Sequence, residues 1–293
     1  MTREERRNLL KGLAFLSPWL IGFLVFTALP ITLSLYYSFC DYALTAPDRA
    51  PVWVGMANYQ QLWNDELFWK ALGTTFRYAA MALPAGVLVS LGLALMLNAN
   101  IRGQAIYRAV IFLPSLVPAT AAAMLWLWMF NGRFGLFNNL LERLGIGGLN
   151  WLSTDFALPS LAMMSVWGVG NTVVIYLAGL QDVPRELLEA AEIDGAGRLG
   201  RLVHVTLPML SPVIFFNLVM AIIGTFSVLT IPYIMTRGGP NNATYFYTMY
   251  GYDTAFTYLR MGYASALAWV QLLIILALTA LAFWSARKWV HYV

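Results

Sequence analysis

The sequence predicts an all-α integral membrane protein of six transmembrane helices, and three observations carry that reading. Of its 293 residues 60% are hydrophobic and only 11% charged, against roughly 25% charged in a soluble domain. The charges leave gaps: no Asp, Glu, Lys or Arg occurs in Gly12–Cys40, Tyr78–Ile101, Ala109–Gly132, Phe156–Gln181, Val205–Thr236 or Met261–Ala286. Each run exceeds the ~20 residues that cross a ~30 Å hydrocarbon core as a helix, and a helix satisfies its own backbone where lipid cannot.

Taken in order, residues 1–11 form a basic tail, and a first span covers about 12–40. Its 29 uncharged residues exceed the h-region of a secretory leader, roughly 7–15 residues, so a retained anchor is expected. The connection Asp41–Lys70 follows. There Asp65–Glu66 ahead of Leu67 and Phe68 suggests a short interfacial helix, and Trp53, Trp63 and Trp69 suit an interface belt better than a sugar platform. Further spans are expected at about 76–98, 107–131, 156–181, 208–236 and 262–286, with a loop at 182–207. Together 12–293 make one six-span membrane domain. Pro30, Pro84, Pro114, Pro118, Pro159, Pro212 and Pro232 fall within the apolar runs, where proline kinks a helix and neighbours re-satisfy the freed carbonyls.

Six crossings place both termini on one side. With the N-terminus inside, the cytoplasmic basic set is Arg3, Arg6, Arg7, Lys11, Arg102, Arg108, Arg185, Arg198, Arg201, Arg287 and Lys288. The outer set, Arg49, Lys70, Arg77, Arg133, Arg143, Arg237 and Arg260, is smaller, which is the positive-inside pattern. The net charge of +4 then needs no nucleic acid to explain it. The single cysteine, Cys40, excludes an intramolecular disulfide. His204 and His291 stand apart from any Cys or carboxylate cluster, so neither a metal nor a cofactor is expected in this chain. No Gly-x-x-x-x-Gly-Lys-Ser/Thr run is present to cradle phosphates, and the charge-free spans offer no acid, base or nucleophile for a membrane-embedded enzyme. They also lack the intramembrane ionisable groups of an ion-coupled carrier.

The densest charge lies in "ELLEAAEIDGAGRLGRLVHVTLP", Glu186–Pro208. Pro184 suits a helix's first turn, Asp182 can complement its positive end, and Arg185, Glu189 and Glu192 share a face beside Leu187, Leu188 and Ala191. Gly195 and Gly197 stop the helix. A second short piece, Arg198–His204, leads to Leu207-Pro208. Glu186, Glu189, Glu192 and Asp194 would meet anionic lipid unfavourably, so this elbow suits a protein groove, and Ala190, Ala191 and Gly195 allow close approach.

"EAAEIDGAGRLGRLVHVTLP" resembles the EAA loop of inner-membrane permeases of binding-protein-dependent ABC importers. That family's pattern is Glu-Ala-Ala, Gly, Ile and Leu-Pro, and here it falls on Glu189-Ala190-Ala191, Gly195, Val205 and Leu207-Pro208, with Val for Ile. "FLSPWLIGFLVFTALPITLSLYYSF", "VGMANYQQL", "YRAVIFLPSLVPA", "TRGGPNNAT" and "MGYASALA" are similar to the maltose-permease-like carbohydrate branch, over nearly the whole chain. The resemblance implies the type I, MetI-like importer fold in the bacterial inner membrane, among membrane lipid. It implies as partners a second homologous permease, here a different chain, and two copies of a cytoplasmic ATPase that uses ATP and Mg. A periplasmic or lipid-anchored solute-binding protein completes the set. It makes Glu189, Ala190, Ala191, Asp194, Gly195, Leu207 and Pro208 the ATPase-coupling residues and a carbohydrate or polyol the solute. A non-sugar solute such as glycerol phosphate is the alternative, and an ion-coupled carrier a remoter one.

Of the uncharged spans' polar and aromatic residues, Ser115, Thr120, Ser165, Trp167, Asn171, Asn217, Thr225 and Ser227 are the candidates to face the interior. Alignment to the maltose permease puts its sugar contacts on Ser115, Ala119, Met164, Trp167, Gly168, Ala221, Thr225 and Val228. Several of these are apolar here, which implies a different sugar or contacts supplied by the second permease.

Overall fold

The computed structural model describes residues 2–45, 50–99 and 102–291. Arg49, the middle of the first connection and the end of the second charge-free run lie outside the described residues. The chain divides into two compact units, 1–65 with 251–270, and 66–250 with 271–293.

In the first unit, helix α1 (Arg3–Phe23) opens with a capping box in which Thr2 Oγ1 accepts from the Glu5 amide and Glu5 Oε2 from the Thr2 amide. A π-helical turn, Leu24–Ala28, joins it to α2 (Leu29–Ser38), giving a 36-residue apolar helix. A two-residue pairing of β1 (Cys40–Asp41) with β2 (Val52–Trp53) follows, then α3 (Ala57–Trp63). The buried Asn58 amide donates to the carbonyls of Ser38 and Cys40 at 2.9 Å each, fastening α3 to the hairpin. Residues 251–270 join this unit through the Gly262 amide, which donates to the Tyr42 carbonyl at 2.9 Å. A Cβ on Gly262 would stand 2.1 Å from the Cys40 carbonyl oxygen, so only glycine fits.

The expected short helix at Asp65–Phe68 is absent as a separate element. Glu66 instead opens the 32-residue α4 (Glu66–Leu97), because nothing from Glu66 onward breaks the helix and Glu66 sits favourably at its positive end. The second span therefore starts ten residues before the expected 76. Trp53, Trp63 and Trp69 are all exposed, and Trp53 also stacks on Phe39 at 5.3 Å.

The second unit continues with α5 (Gln104–Phe112), α6 (Ala119–Met129), α7 (Leu136–Arg143), α8 (Ala157–Trp167) and α9 (Gly170–Gln181). Next come α10 (Arg185–Ile193), α11 (Arg198–Arg201), α12 (Leu207–Thr225), α13 (Thr230–Met235) and α14 (Tyr247–Tyr252). The last helix, α15 (Met261–Ala286), belongs to the first unit at its start and to the second from Gln271 on. Among the described residues four helices are long and apolar enough to cross a membrane, and up to six crossings result if each of two bent pairs counts as one. The expected third span is sharply broken, Gln104–Leu116 turning 98° into α6, with Pro118 at the break as the N-cap of α6. The fourth bends by 49° between α8 and α9, where Gly168 and Gly170, not a proline, interrupt it. Pro84 and Pro212 sit inside continuous helices.

Helix α4 packs against α8, α9 and α12, and α9 against α12. Ala94, Leu97, Val173, Tyr176, Leu177, Leu180 and Leu210 form the buried cluster between α4, α9 and α12. Small residues permit the approach, as expected where lipid gives no hydrophobic drive: a Cβ on Gly170 would lie 2.7 Å from the Ile111 carbonyl oxygen, and one on Gly179 2.8 Å from Leu210 and Val213 side-chain carbons. A second cluster stacks Trp126, Phe130, Phe137 and Trp151, with Trp167 edge-on to Trp126. Buried Asn138 ties it to the loop after α7, donating to the Gly132 and Leu149 carbonyls and accepting from the Leu149 amide and Trp151 Nε1.

Candidate functional site: a bundle cavity and the elbow beside it

Two features stand between the same pair of helices. The first is a cavity of about 440 Å³. Helix α4 presents one face to it through Tyr78, Ala82 and Gly86, four residues apart, with Leu83 and Val87. The α8–α9 bend contributes Ser165, Gly168, Val169, Thr172 and Tyr176, and α12 contributes Asn217, Met220, Ala221, Gly224 and Thr225, followed by Val228. No charged side chain lines it. Gly168, Ala221, Thr225 and Val228 among the alignment-derived positions meet here, together with Ser165 and Asn217.

The other sequence-named positions go elsewhere. Met164 is buried but outside the cavity lining, and Trp167 is held in the aromatic cluster. Ser115 donates to the Phe112 carbonyl at 2.6 Å beside the break before α6, where Ala119 and Thr120 are exposed. Asn171 and Ser227 are also exposed. Reasoning on sequence missed the whole α4 face and, on α9, Thr172 and Tyr176. A Tyr-x3-Ala-x3-Gly spacing from Tyr78 to Gly86 was the available signal for the first.

Polar chemistry in the cavity is neutral. Ser165 Oγ donates to the Ala162 carbonyl at 2.7 Å, Thr225 Oγ1 to Ala221 at 2.8 Å, and Asn217 Nδ2 to Val213 at 3.0 Å. These groups keep acceptor lone pairs free. Tyr176 is fully buried, and among the described residues its hydroxyl has no hydrogen-bond partner.

The second feature is the elbow joining α9 to α12. Pro184 is the N-cap of α10, one position before the expected first turn, and no side chain caps that end, Asp182 included. Helix α10 closes in a Schellman motif: Gly195, at φ +82°, donates to the Glu192 carbonyl, and Ala196 to Ala191. The expected second short piece is not separate. Arg198–Arg201 runs through a π-helical turn, Leu202–Thr206, into α12 as one continuous helix, with Leu207 and Pro208 in its first turn. Pro208 is tolerated there because the π turn has already altered the local hydrogen bonding.

Leu188 and Ala191 are half-buried, while Glu189, Ala190, Asp194 and Gly195 are exposed. Arg201 donates to Glu192 across the elbow. Its tips are apolar: Ile193 is 86% and Leu199 74% exposed. Among the described residues no group of three or more His, Cys, Asp or Glu could hold a metal ion.

Residues 82–291 match the family model of the binding-protein-dependent transport system inner membrane component. The chain belongs to this family. It is 41% identical over 99% of its length to a probable ABC transporter permease protein, YesP, of Bacillus subtilis, covering 95% of that protein. It is 34% identical to the lactose transport system permease LacF of Rhizobium radiobacter, over 94% of each chain. A crystal structure of a bacterial alginate ABC transporter, in complex with an alginate pentasaccharide-bound periplasmic protein, contains a chain that superposes with a TM-score of 0.82 at 23% identity, covering 98% of this chain and 96% of that one. The six-span expectation is thus the importer-permease fold, with its third and fourth crossings broken.

Proposed function

We propose that this permease carries a carbohydrate or related polyol through the α4–α8–α9–α12 cavity, driven by a separate ATPase that grips the elbow. One observation carries the reading: the elbow is built into the cavity's own walls. Helix α9, which supplies Thr172 and Tyr176, runs directly into it, and its second arm is continuous with α12, which supplies Asn217, Ala221 and Thr225. Displacing the exposed tips Ile193 and Leu199 must therefore move both walls, since packed helices transmit rather than absorb strain. Apolar tips ringed by charge are the anatomy of a docking site, with anchors at the centre and a polar rim.

The lactose permease among the relatives supports a sugar as solute. Family membership supports the rest of the proposed assembly: a second permease, two ATPase copies using ATP and Mg, and a periplasmic or lipid-anchored binding protein. The basic residues favour cytoplasmic termini and a cytoplasmic elbow in a bacterial inner membrane. Glu189→Lys reverses an exposed charge on α10. It should abolish co-purification of the ATPase while the protein still inserts in the membrane. Normal ATP-driven uptake and normal co-purification in that variant would overturn the coupling role.

A further inference from the structure

We infer that a groove on the far side of α4 from the cavity is a headgroup site for phosphatidylethanolamine, with the phosphate on Lys70 and Arg77 and the ammonium at Asp155. The groove, about 660 Å³, lies between α4 (Lys70, Arg77, Met81), the entry to α8 (Asp155, Leu158) and Asn241 in the loop after α13. At about 100° per residue, Tyr78, Ala82, Leu83, Gly86 and Val87 turn to the cavity. Lys70, Arg77, Met81, Pro84 and Leu88 form a stripe on the opposite side of the same helix. The groove therefore opens away from the solute passage.

Charges of both signs line it without joining. Among the described residues none of Lys70, Arg77 and Asp155 is in an ion pair. The Arg77 guanidinium folds back along α4, so that a Cβ on Gly73 would stand 3.7 Å from its Nη2. Gly73 is one turn from Lys70, which brings both cations within reach of one phosphate, and charge-assisted bonds from two cations suit a phosphodiester. A plain anion would also meet Asp155, which disfavours it. A headgroup that carries an ammonium beside its phosphate makes Asp155 a partner instead.

Depth decides between a lipid and a soluble phosphoester. Arg77 and Asp155 are the last charged residues before the runs Tyr78–Ile101 and Phe156–Gln181, so they stand where hydrocarbon begins. From there the stripe turns apolar and stays uncovered: Met81 is half-buried, Pro84 exposed and Leu88 70% exposed. Arg77 to Leu88 spans about 16 Å of helix, close to half of the ~30 Å hydrocarbon core. That is the reach of one acyl chain in one leaflet. Only the choice of leaflet rests on the importer reading: α8 begins at the end of its crossing away from the elbow, the outer side on the proposed topology.

The test is native mass spectrometry on the assembled transporter, this chain with its partner permease and ATPase. The delipidated complex is titrated with phosphatidylethanolamine, phosphatidylcholine and phosphatidylglycerol of the same acyl chains, and with free phosphoethanolamine as competitor. Phosphatidylethanolamine should bind about fivefold tighter than either other lipid, because choline cannot donate to Asp155 and glycerol brings no cation. Lys70→Gln and Arg77→Gln should each weaken it about fivefold, and Asp155→Asn should abolish the preference. Millimolar phosphoethanolamine should not displace it. Equal binding of the three lipids by the wild type, or a preference unchanged in all three variants, would overturn the inference. Displacement by phosphoethanolamine would overturn it in favour of a soluble phosphoester. Loss of the partner permease from the Lys70→Gln or Arg77→Gln complex would overturn it as well, and assign the stripe to a protein interface. The readout needs no transport, so its failure leaves the importer role standing.

Discussion

The elbow and the cavity share two helices but are built from opposite chemistry. Residues 182–207 hold eight charged side chains, and the cavity lining holds none. Glycine serves differently in each: Gly195 takes a left-handed conformation to end α10, whereas Gly86, Gly168 and Gly224 leave room in the cavity wall. Polar groups follow the same division. At the elbow Arg201 meets Glu192 in partial contact with solvent, while in the cavity the hydroxyls of Ser165 and Thr225 turn back on their own helices. An interface that forms and releases in water gains selectivity from charge at little desolvation cost. A passage inside lipid cannot hold a charge without a partner. The continuous helix through α11 and α12 reaches both regions, its charged end at Arg198–Arg201 separated from its apolar part by the π turn at Leu202–Thr206.

The comparison breaks first if the two regions are not separable. Ala221→Trp places an indole in the cavity, whose lining Ala221 shares with Tyr78 and Ser165. Uptake should fall to background while the ATPase still co-purifies, as measured by pull-down from detergent. Loss of both together would mean that the cavity and the elbow fold as one unit.

The converse change is smaller. Ile193→Asp removes an 86% exposed apolar tip without touching the cavity. If Ile193 is an anchor of the docking surface, affinity for the purified ATPase should drop by about thirtyfold, roughly the 2 kcal/mol of an interface hot spot. Titration of the ATPase against nanodisc-bound protein measures it. Unchanged affinity would move the anchor to Leu199 or to the charged rim.

How much of this was legible beforehand differs between the regions for the same physical reason. Charge is rare here, so the gaps between charges outlined the crossings, and the elbow stood out with its glycine stop at Gly195. Bending was not legible. Pro118 marks the 98° break while Pro84 and Pro212 lie in unbroken helices, and what separates them is which neighbours re-satisfy the freed carbonyls, a tertiary property. The π turn that fuses Arg198–Arg201 to α12 left no compositional trace either. The cavity face of α9 was hidden because its lipid face, core face and cavity face are all apolar, so no periodicity distinguishes Thr172 and Tyr176. Similarity to the maltose permease pointed to Gly168, Ala221, Thr225 and Val228, which do gather, and to Ser115, Ala119, Met164 and Trp167, which do not line this cavity.

The finest test concerns the ion pair across the elbow. Arg201 is mostly covered, and Glu192 is 65% exposed at its side chain, so water screens the interaction and its worth is about 0.2–1 kcal/mol. Glu192→Gln keeps the shape, a hydrogen-bond acceptor and the Schellman closure, which uses backbone groups alone. It should therefore lower ATPase affinity by less than about fivefold, and raised salt should reduce the difference between wild type and variant. A drop as large as that of Ile193→Asp would mean that Glu192 contacts the partner directly, and that the rim, not the apolar tips, carries the joint.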